Sequence, residues 1–558
     1  MASAVGSELV FLPLGGVGEI GMNLGVYGYG SEEDREWLIV DFGVSFAGPE
    51  LPGVDLILPD IRFLENERHN IRGMVITHAH EDHFGAILDL WPKLKVPVYC
   101  TAFTAGLLET KRQTDFDSYE VPVNVFKAGD RFEIGSFNIE ALAVAHSIPE
   151  PVSLAIKTKL GTVIHTGDWK IDPEPSLGAV TDEKRFRELG EQGVLALVCD
   201  STNALRDGVS PTEHDVGKSL ANIISEAEGR VAITTFSSNV GRILSIALAA
   251  KEAGRKVLLV GRSMKRSVAV AEELGYLEGL DPFVDEDEFG YIQRDKLVMI
   301  LTGSQGEQRA ALAKLSRDEM HTLSLAAGDT VIYSSRSIPG NEKAIIDTQN
   351  RLIDRGVRII TDHDALVHVS GHPRRNELLK MYDWVKPEIL VPVHGEAMHL
   401  TAQTALGRQA GIEKVAEIRN GDMLRLAPGA PEVIDEAPVG RIYKDGLLIG
   451  NEDELGVNER RKLSHVGHVS IALLMDKQQE LLEEPQLVCF GLPENDGNGL
   501  ILEHEILDTI DKTIDSIPRN RRRDNETVTE AVRRAVRSVV NEIWGKKPVC
   551  TVFLHRAR

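Results

Sequence analysis

The chain has 558 residues, 42% hydrophobic and 26% charged, and carries a formal net charge of -23. That length calls for roughly two to four domains, the composition is that of an ordinary globular protein, and no run of about 20 apolar residues offers a membrane span. A polyanion-binding surface on so acidic a body must be a local basic patch, because binding follows the local field.

Residues 1–8 lack the basic start of a signal peptide and lead straight into a strand-like segment. Up to about residue 205 the pattern is one of short strands with Gly-rich turns, at 8–14, 36–42, 73–77, 137–145, 162–166 and 194–199. The rhythm then changes. Strands at 230–236, 256–260, 296–301 and 330–334 alternate with helical patterns at 239–253, 263–274, 306–315 and 341–355, which predicts a parallel sheet covered by helices. Beyond about 360 short strands and loops return, including 389–392, and the Pro/Gly-rich stretch 427–431 marks a loop. A smaller α/β unit begins near 462, with strands near 466–474, 486–490 and 549–554 and a helix over about 528–543. Cys100, Cys199, Cys489 and Cys550 are scattered without a CxxC pair, a pattern of free thiols in a reducing cytoplasm.

The strongest chemical signal is Thr77-His78-Ala79-His80-Glu81-Asp82-His83, three imidazoles and carboxylates on the turn leaving an apolar strand. Imidazole nitrogen and carboxylate oxygen are ligands for zinc and similar divalent ions. On an extended turn His78 and His80 can face one metal while Asp82 and His83 face a second. His146, Asp168 and His394 each lie at or just beyond the end of a strand-like segment and complete a two-metal set. His78, His80 and His146 would hold one ion; Asp82, His83 and His394 would hold the other, with Asp168 bridging. Two ions about 3.5–4 Å apart lower the pKa of a bridging water and stabilise both oxygens of an in-line phosphoryl displacement.

Gly16-Val17-Gly18-Glu19-Ile20-Gly21 fits the GxGxxG pattern of dinucleotide sites. The alternating Gly-rich run after it predicts a strand, and without a following helix there is no pyrophosphate cradle.

At Asp41, the 78–83 cluster, His146, Asp168 (in His165-Thr166-Gly167-Asp168) and His394 the sequence resembles the metallo-β-lactamase superfamily. The resemblance implies an αββα sandwich with zinc, or manganese, at one edge and Asp41 as an outer partner of the histidines; alone, Asp41 reads equally as a turn residue capping a strand. The block at 207–365 separates the metal motifs as in the β-CASP family, which implies an inserted parallel α/β domain and work on nucleic acid. Asp200 (in Val198-Cys199-Asp200-Ser201-Thr202-Asn203), His372 and His394 match its further motifs. By that likeness His372 is a general acid tuned by Asp200, and Asp82 belongs to the catalytic set as well as to the metal.

Leu14-Gly15-Gly16-Val17-Gly18-Glu19-Ile20-Gly21, His146-Ser147-Ile148-Pro149-Glu150, Thr302-Gly303-Ser304-Gln305-Gly306-Glu307 and His368-Val369-Ser370-Gly371-His372 are similar to the ribonuclease J family over nearly the whole chain. That implies a metallo-β-lactamase domain in two parts (1–206 and 366–448) around a β-CASP domain (207–365), a linker (449–461) and a C-terminal α/β domain (462–558). It also implies a metal-dependent phosphodiester hydrolase that cuts single-stranded RNA endonucleolytically and from the 5′ end, with a preference for 5′-monophosphate ends, in ribosomal RNA processing and messenger RNA decay. Homodimers or homotetramers and partners in an RNA-decay assembly follow from the same likeness, while the cytoplasmic address is the expectation from the cysteine pattern. A DNA-processing β-CASP nuclease and a small-molecule metallo-hydrolase are the alternatives.

Ser237, Ser238 and Asn239 end a strand and open a helix, where free N–H groups and hydroxyls can take a 5′-phosphate. His368, Val369, Ser370, Gly371 and His372 could form the facing wall, and Arg242 lies one turn into the helix. The same Ser/Asn residues fit an ordinary helix cap. Arg519, Arg521, Arg522, Arg523, Arg533, Arg534 and Arg537 read either as an RNA or anionic-partner surface or as a solvated helix face with its preceding loop.

Overall fold

Nearly continuous apolar strands that bury both faces need a layer on each side, and the chain supplies those layers from distant segments. A computed structural model describes residues 6–114, 119–338, 340–495 and 499–557. Residues 1–5, part of the segment read as no signal peptide, lie outside them. The chain divides into two compact units, residues 1–45 with 58–441, and residues 46–57 with 442–558.

In the first unit an eight-stranded sheet runs Glu432–Glu436, Asp422–Ala427, Glu8–Gly15, Leu24–Gly30, Glu36–Val40, Ile71–Val75, Val98–Cys100, Val123–Val125. A seven-stranded sheet runs Arg131–Ile134, Phe137–Ala143, Val152–Thr158, Gly161–His165, Ala196–Asp200, Ile389–Val393, Lys414–Val415. Phe11, Tyr27, Leu38, Val40 and Val75 from the first sheet share one core with Ile139, Leu154, Ile156, Val163, Val198 and Val391 from the second. The outer face of the second sheet carries its own apolar layer. Phe186 and Leu189 of the helix Glu183–Gln192 and Leu378, Met381, Trp384 and Val385 of the helix Arg375–Val385 pack there with Ile164, Leu197 and Leu390. The result is a metallo-β-lactamase sandwich.

Ala196–Asp200 and Ile389–Val393 are adjacent parallel strands, with Asp200 opposite Val393, although the whole inserted domain lies between them in sequence. That domain carries a five-stranded, all-parallel sheet in the order Lys256–Val260, Leu297–Leu301, Val231–Thr234, Thr330–Tyr333, Arg358–Ile360. A buried charge network joins the two parts. Lys170, with no exposed side chain, is 2.8 Å from Asp172 and 3.5 Å from Glu213, and Arg242 is 2.7 Å from Glu213.

The predicted elements differ from the observed ones where local pattern and long-range packing disagree. The helical pattern at 306–315 becomes helical only at Ala311–Ser316, because Gly306 sits at φ +74° against the backbone of Ala344 and Ile345. By contrast, the strand expected after the Gly16–Gly21 turn is present: Leu24–Gly30 runs antiparallel to Glu8–Gly15, and the turn opens no helix.

In the second unit His468–Met475 is central in a three-stranded sheet, between Gln486–Phe490 and Val549–Arg556. The start of that first strand, expected near residue 466, is the end of the helix Val457–Val466 instead. The stretch 449–461, expected as a linker, holds most of the strand Leu448–Gly450 and the first half of that helix. Leu502–Ser516 and Asn525–Trp544 are helices that bury Ile506, Ile510, Ile514, Val528, Val532, Val536 and Val540 in one core. Several of the arginines here are neutralised by glutamates: buried Arg522 and exposed Arg519 both pair with Glu480, and Arg533 and Arg534 flank Glu530. Among the described residues no helix is long and apolar enough to cross a membrane.

Candidate metal centre

Parallel strands deliver their carboxyl ends to one edge, and both large sheets do so here. Asp41 follows Glu36–Val40 and Thr77 and His78 follow the neighbouring parallel strand Ile71–Val75. Asp168 follows Gly161–His165, Asp200 ends Ala196–Asp200, and His394 follows Ile389–Val393. Asp41 and His394 sit at φ +64° and +51°, a left-handed turn that non-glycine residues rarely adopt. Gly43 admits the backbone of Asp82, whose oxygen would stand 1.7 Å from a Cβ there, so the cluster can fold back onto the first sheet.

The expected ligands fall into two groups that share Asp168, and Asp168 and His394 also come together with Asp200 and His372. His78, His80, His146 and Asp168 form one; Asp82, His83, Asp168 and His394 form the other. His80 Nδ1 is 3.1 Å from His78 Nε2 and 3.1 Å from His146 Nε2. Asp168 Oδ2 is 3.7 Å from His78 Nε2, 3.6 Å from His146 Nε2 and 3.3 Å from His83 Nε2, and Asp168 Oδ1 is 3.5 Å from His394 Nε2. Two nitrogens sharing one tetrahedral zinc at about 2.0–2.1 Å stand about 3.3 Å apart, so these spacings suit that ion.

The outer hydrogen bonds explain why the inner nitrogens point together. His83 Nδ1 is 2.7 Å from Asp41 Oδ2, His146 Nδ1 is 2.7 Å from the Gly371 carbonyl, and His394 Nδ1 is 2.8 Å from Asn23 Oδ1. Thr77 Oγ1 donates to Asp41 at 2.9 Å and so accepts from His78 Nδ1 at 3.0 Å. Each of these rings donates its outer N–H, which leaves the opposite lone pair facing the cluster. Asp168 Oδ1 is buried without a hydrogen-bond partner. Inward lone pairs and an unmatched carboxylate oxygen fit divalent cations. Burial lowers the pKa of His78 and His146 well below the usual value, which keeps them neutral as ligands. Burial works the same way on His83, but Asp168, Asp82 and Asp41 outweigh it and raise its pKa, a field that equally attracts a cation.

His372 and Asp200 stand beside this centre. His372 Nδ1 is 2.8 Å from Asp200 Oδ2 and 3.9 Å from Asp168 Oδ2. Burial disfavours its charge, yet the Asp200 and Asp168 carboxylates raise its pKa to about 9. These two carboxylates favour the protonated imidazole beside the ligand groups.

Several residues expected to seat a phosphate have partners of their own. Arg242 donates to Ser334 Oγ at 2.6 Å and to the Val367 carbonyl at 3.0 Å. It is fully buried and paired with Glu213, so it is not free to meet a phosphate as its place one turn into the helix suggested. Asn239 caps its own helix, accepting from Arg242 N at 2.9 Å. Ser237 and Ser238 remain half-exposed. Ser370 Oγ accepts from Asn203 Nδ2 at 2.9 Å, Val369 is buried, and His368 Nδ1 is buried without a partner.

Asn23 is the contact that sequence reasoning missed. It also donates to the Asp82 carbonyl at 3.0 Å. A lone polar residue leading into an apolar strand (Met22-Asn23-Leu24) is the signal that could have found it.

Family models match four stretches of the chain. Residues 36–183 match the beta-lactamase superfamily domain, 228–352 the ribonuclease J beta-CASP domain, 356–416 the Zn-dependent metallo-hydrolase RNA specificity domain, and 455–557 the ribonuclease J C-terminal domain. The chain is 64% identical to ribonuclease J of Sinorhizobium meliloti over 98% of this chain and 97% of that one. It is 38% identical to ribonuclease J of Mycolicibacterium smegmatis over 96% and 95%. A solved protein of unknown function from Enterococcus faecalis superposes with a TM-score of 0.53 at 17% identity, covering 75% of this chain and all of that one, which speaks to fold alone.

Proposed function

This chain belongs to the ribonuclease J family, and from its metal-dependent hydrolysis of RNA we propose a finer reading. The enzyme cuts single-stranded RNA both internally and from the 5′ end, favours a 5′-monophosphate, and works in ribosomal RNA processing and messenger RNA decay in the cytoplasm. We further propose a homodimer or homotetramer, open to partners in an RNA-decay assembly, built from the domains delimited above.

The observation that carries the reading is the pair of ligand groups sharing Asp168, with His372 at their edge. His78, His80 and His146 would hold one divalent ion and Asp82, His83 and His394 the other, zinc or manganese, with Asp168 common to both. Such ions, when bound, polarise the scissile phosphate and lower the pKa of the attacking water. Asp41, Asn23 and Gly371 fix the ring orientations of His83, His394 and His146. His372, protonated beside Asp200, donates its proton to the leaving oxygen. Ser237, Ser238 and Asn239, with His368, Val369, Ser370, Gly371 and His372, are the proposed seat of the terminal phosphate, and a helix start supplies N–H groups of the right sign.

The test compares one RNA bearing a 5′-monophosphate, a 5′-triphosphate or a 5′-hydroxyl with DNA of equal sequence, using Zn²⁺- or Mn²⁺-loaded enzyme. Mononucleotides released fastest from the monophosphate RNA, and lost in His78→Ala/His80→Ala, are expected. Equal rates on all three RNAs would remove the terminal-phosphate pocket, and cleavage of DNA would move the enzyme to a repair role.

A further inference from the structure

Three arginines from separate segments converge beside His372 on a body of net charge -23. Asn203 is the hub. It pairs with Arg374 in a parallel bridge, its Oδ1 is 3.4 Å from Arg336 Nη1, and its carbonyl accepts from Arg206 N at 2.8 Å. Arg375 N donates to the Arg206 carbonyl at 3.0 Å, which ties the first and third segments together. From the same asparagine, Nδ2 reaches Ser370 Oγ at 2.9 Å and the His372 carbonyl at 3.0 Å. The backbones of Arg206 and Arg374 and the guanidinium of Arg336 thus all meet Asn203, which is bonded to the loop that holds the general acid.

Their charges are not neutralised. Among the described residues no carboxylate comes within ion-pair distance of Arg206, Arg336 or Arg374; Asp362 faces the first two only from farther off. Arg374 Nε is buried and has no hydrogen-bond partner. Arg336 is exposed and the other two are half-buried. Burial, and then mutual repulsion with Arg336 and Arg374, lowers the pKa of Arg206. Elsewhere the arginines in this unit that reach a carboxylate pair with it, as Arg185 does with Glu140 and Arg294 with Asp329. Holding like charges together costs free energy unless an anion is taken up there.

We propose that Arg206, Arg336 and Arg374 form a binding site for backbone phosphates of the RNA strand flanking the scissile bond, distinct from the terminal-phosphate pocket. The site rests on RNA being the substrate. Guanidinium forks suit phosphate oxygens, and Asn203 sets the spacing between this site and His372.

The experiment measures kcat and KM of metal-loaded Arg206→Ala, Arg336→Ala, Arg374→Ala and Arg336→Lys on a 12-nucleotide RNA and on bis(4-nitrophenyl) phosphate. RNA affinity by fluorescence anisotropy is followed from low to high KCl. Each alanine variant is expected to raise KM for RNA about tenfold and to make the salt slope shallower by about 0.7 per lost phosphate contact. Turnover of the small diester should fall far less, and Arg336→Lys should recover the salt slope but only part of the affinity. Unchanged RNA affinity and salt slope would overturn the site, as would equal losses on RNA and the small diester. A parent enzyme that binds RNA with this salt slope yet never cuts it would instead sink the functional reading and leave the site standing.

Discussion

His372 Nδ1 lies 2.8 Å from Asp200 Oδ2, across the junction where the inserted domain returns to the sandwich. The Asp200 carboxylate favours the charged form of the imidazole, and burial alone would push the other way. His372→Ala should lower kcat on RNA by about 10²–10⁴-fold, the usual cost of a lost general acid.

Asp200→Asn should act through the same proton. Removing that charge lowers the His372 pKa from about 9, so the protonated fraction falls at lower pH. The alkaline limb of the kcat profile should then move toward neutrality, while activity below the shifted limb is largely kept. An alkaline limb that stays in place would mean that another group supplies the proton.

Gly371 touches the metal centre through its backbone. A Cβ there would stand 2.5 Å from both Nδ1 and Cε1 of His146, the ring whose Nδ1 its carbonyl orients. Gly371→Ala should therefore weaken zinc retention about 10–100-fold, as loss of an outer partner does. Competition with a chromogenic chelator reads this directly, and thermal unfolding of the same variant shows whether the fold is kept.

Lys170 tests the seam between sandwich and insertion. Lys170→Met leaves Asp172 without its buried cation and Glu213 with Arg242 alone. Breaking a buried pair in this way costs about 3–5 kcal/mol. The urea transition of the unit containing it should move to clearly lower concentration; a shift within the error of the parent would mean that water reaches Asp172.

What was readable in the sequence divides along physical lines. The 78–83 cluster is legible because its ligands share one turn, and Asp168 and His394 because each follows an apolar strand. The strand Lys256–Val260 coincides with its pattern, since β-branched and leucine residues fill it between turn signals. Asn23 and the arginines around Asn203 are not legible in the sequence as a group: their meaning comes from contacts such as Asn23 with His394 and Asn203 with Arg336, 371 and 133 residues apart. Arg242 misled for the same reason, because only the fold shows Glu213 waiting for it. The helix Leu502–Ser516 went unread although Leu502, Ile506, Ile510 and Ile514 recur every four residues along one face.

The central claim is that the two ligand groups sharing Asp168 hold divalent ions that the cutting of RNA requires. Metal-stripped protein titrated with Zn²⁺ or Mn²⁺, with bound metal and RNA cleavage followed together, tests it most directly. Cleavage absent from the stripped protein, and reaching its plateau only as the second equivalent binds, is the predicted result. Full cleavage in excess chelator with no metal retained would contradict it.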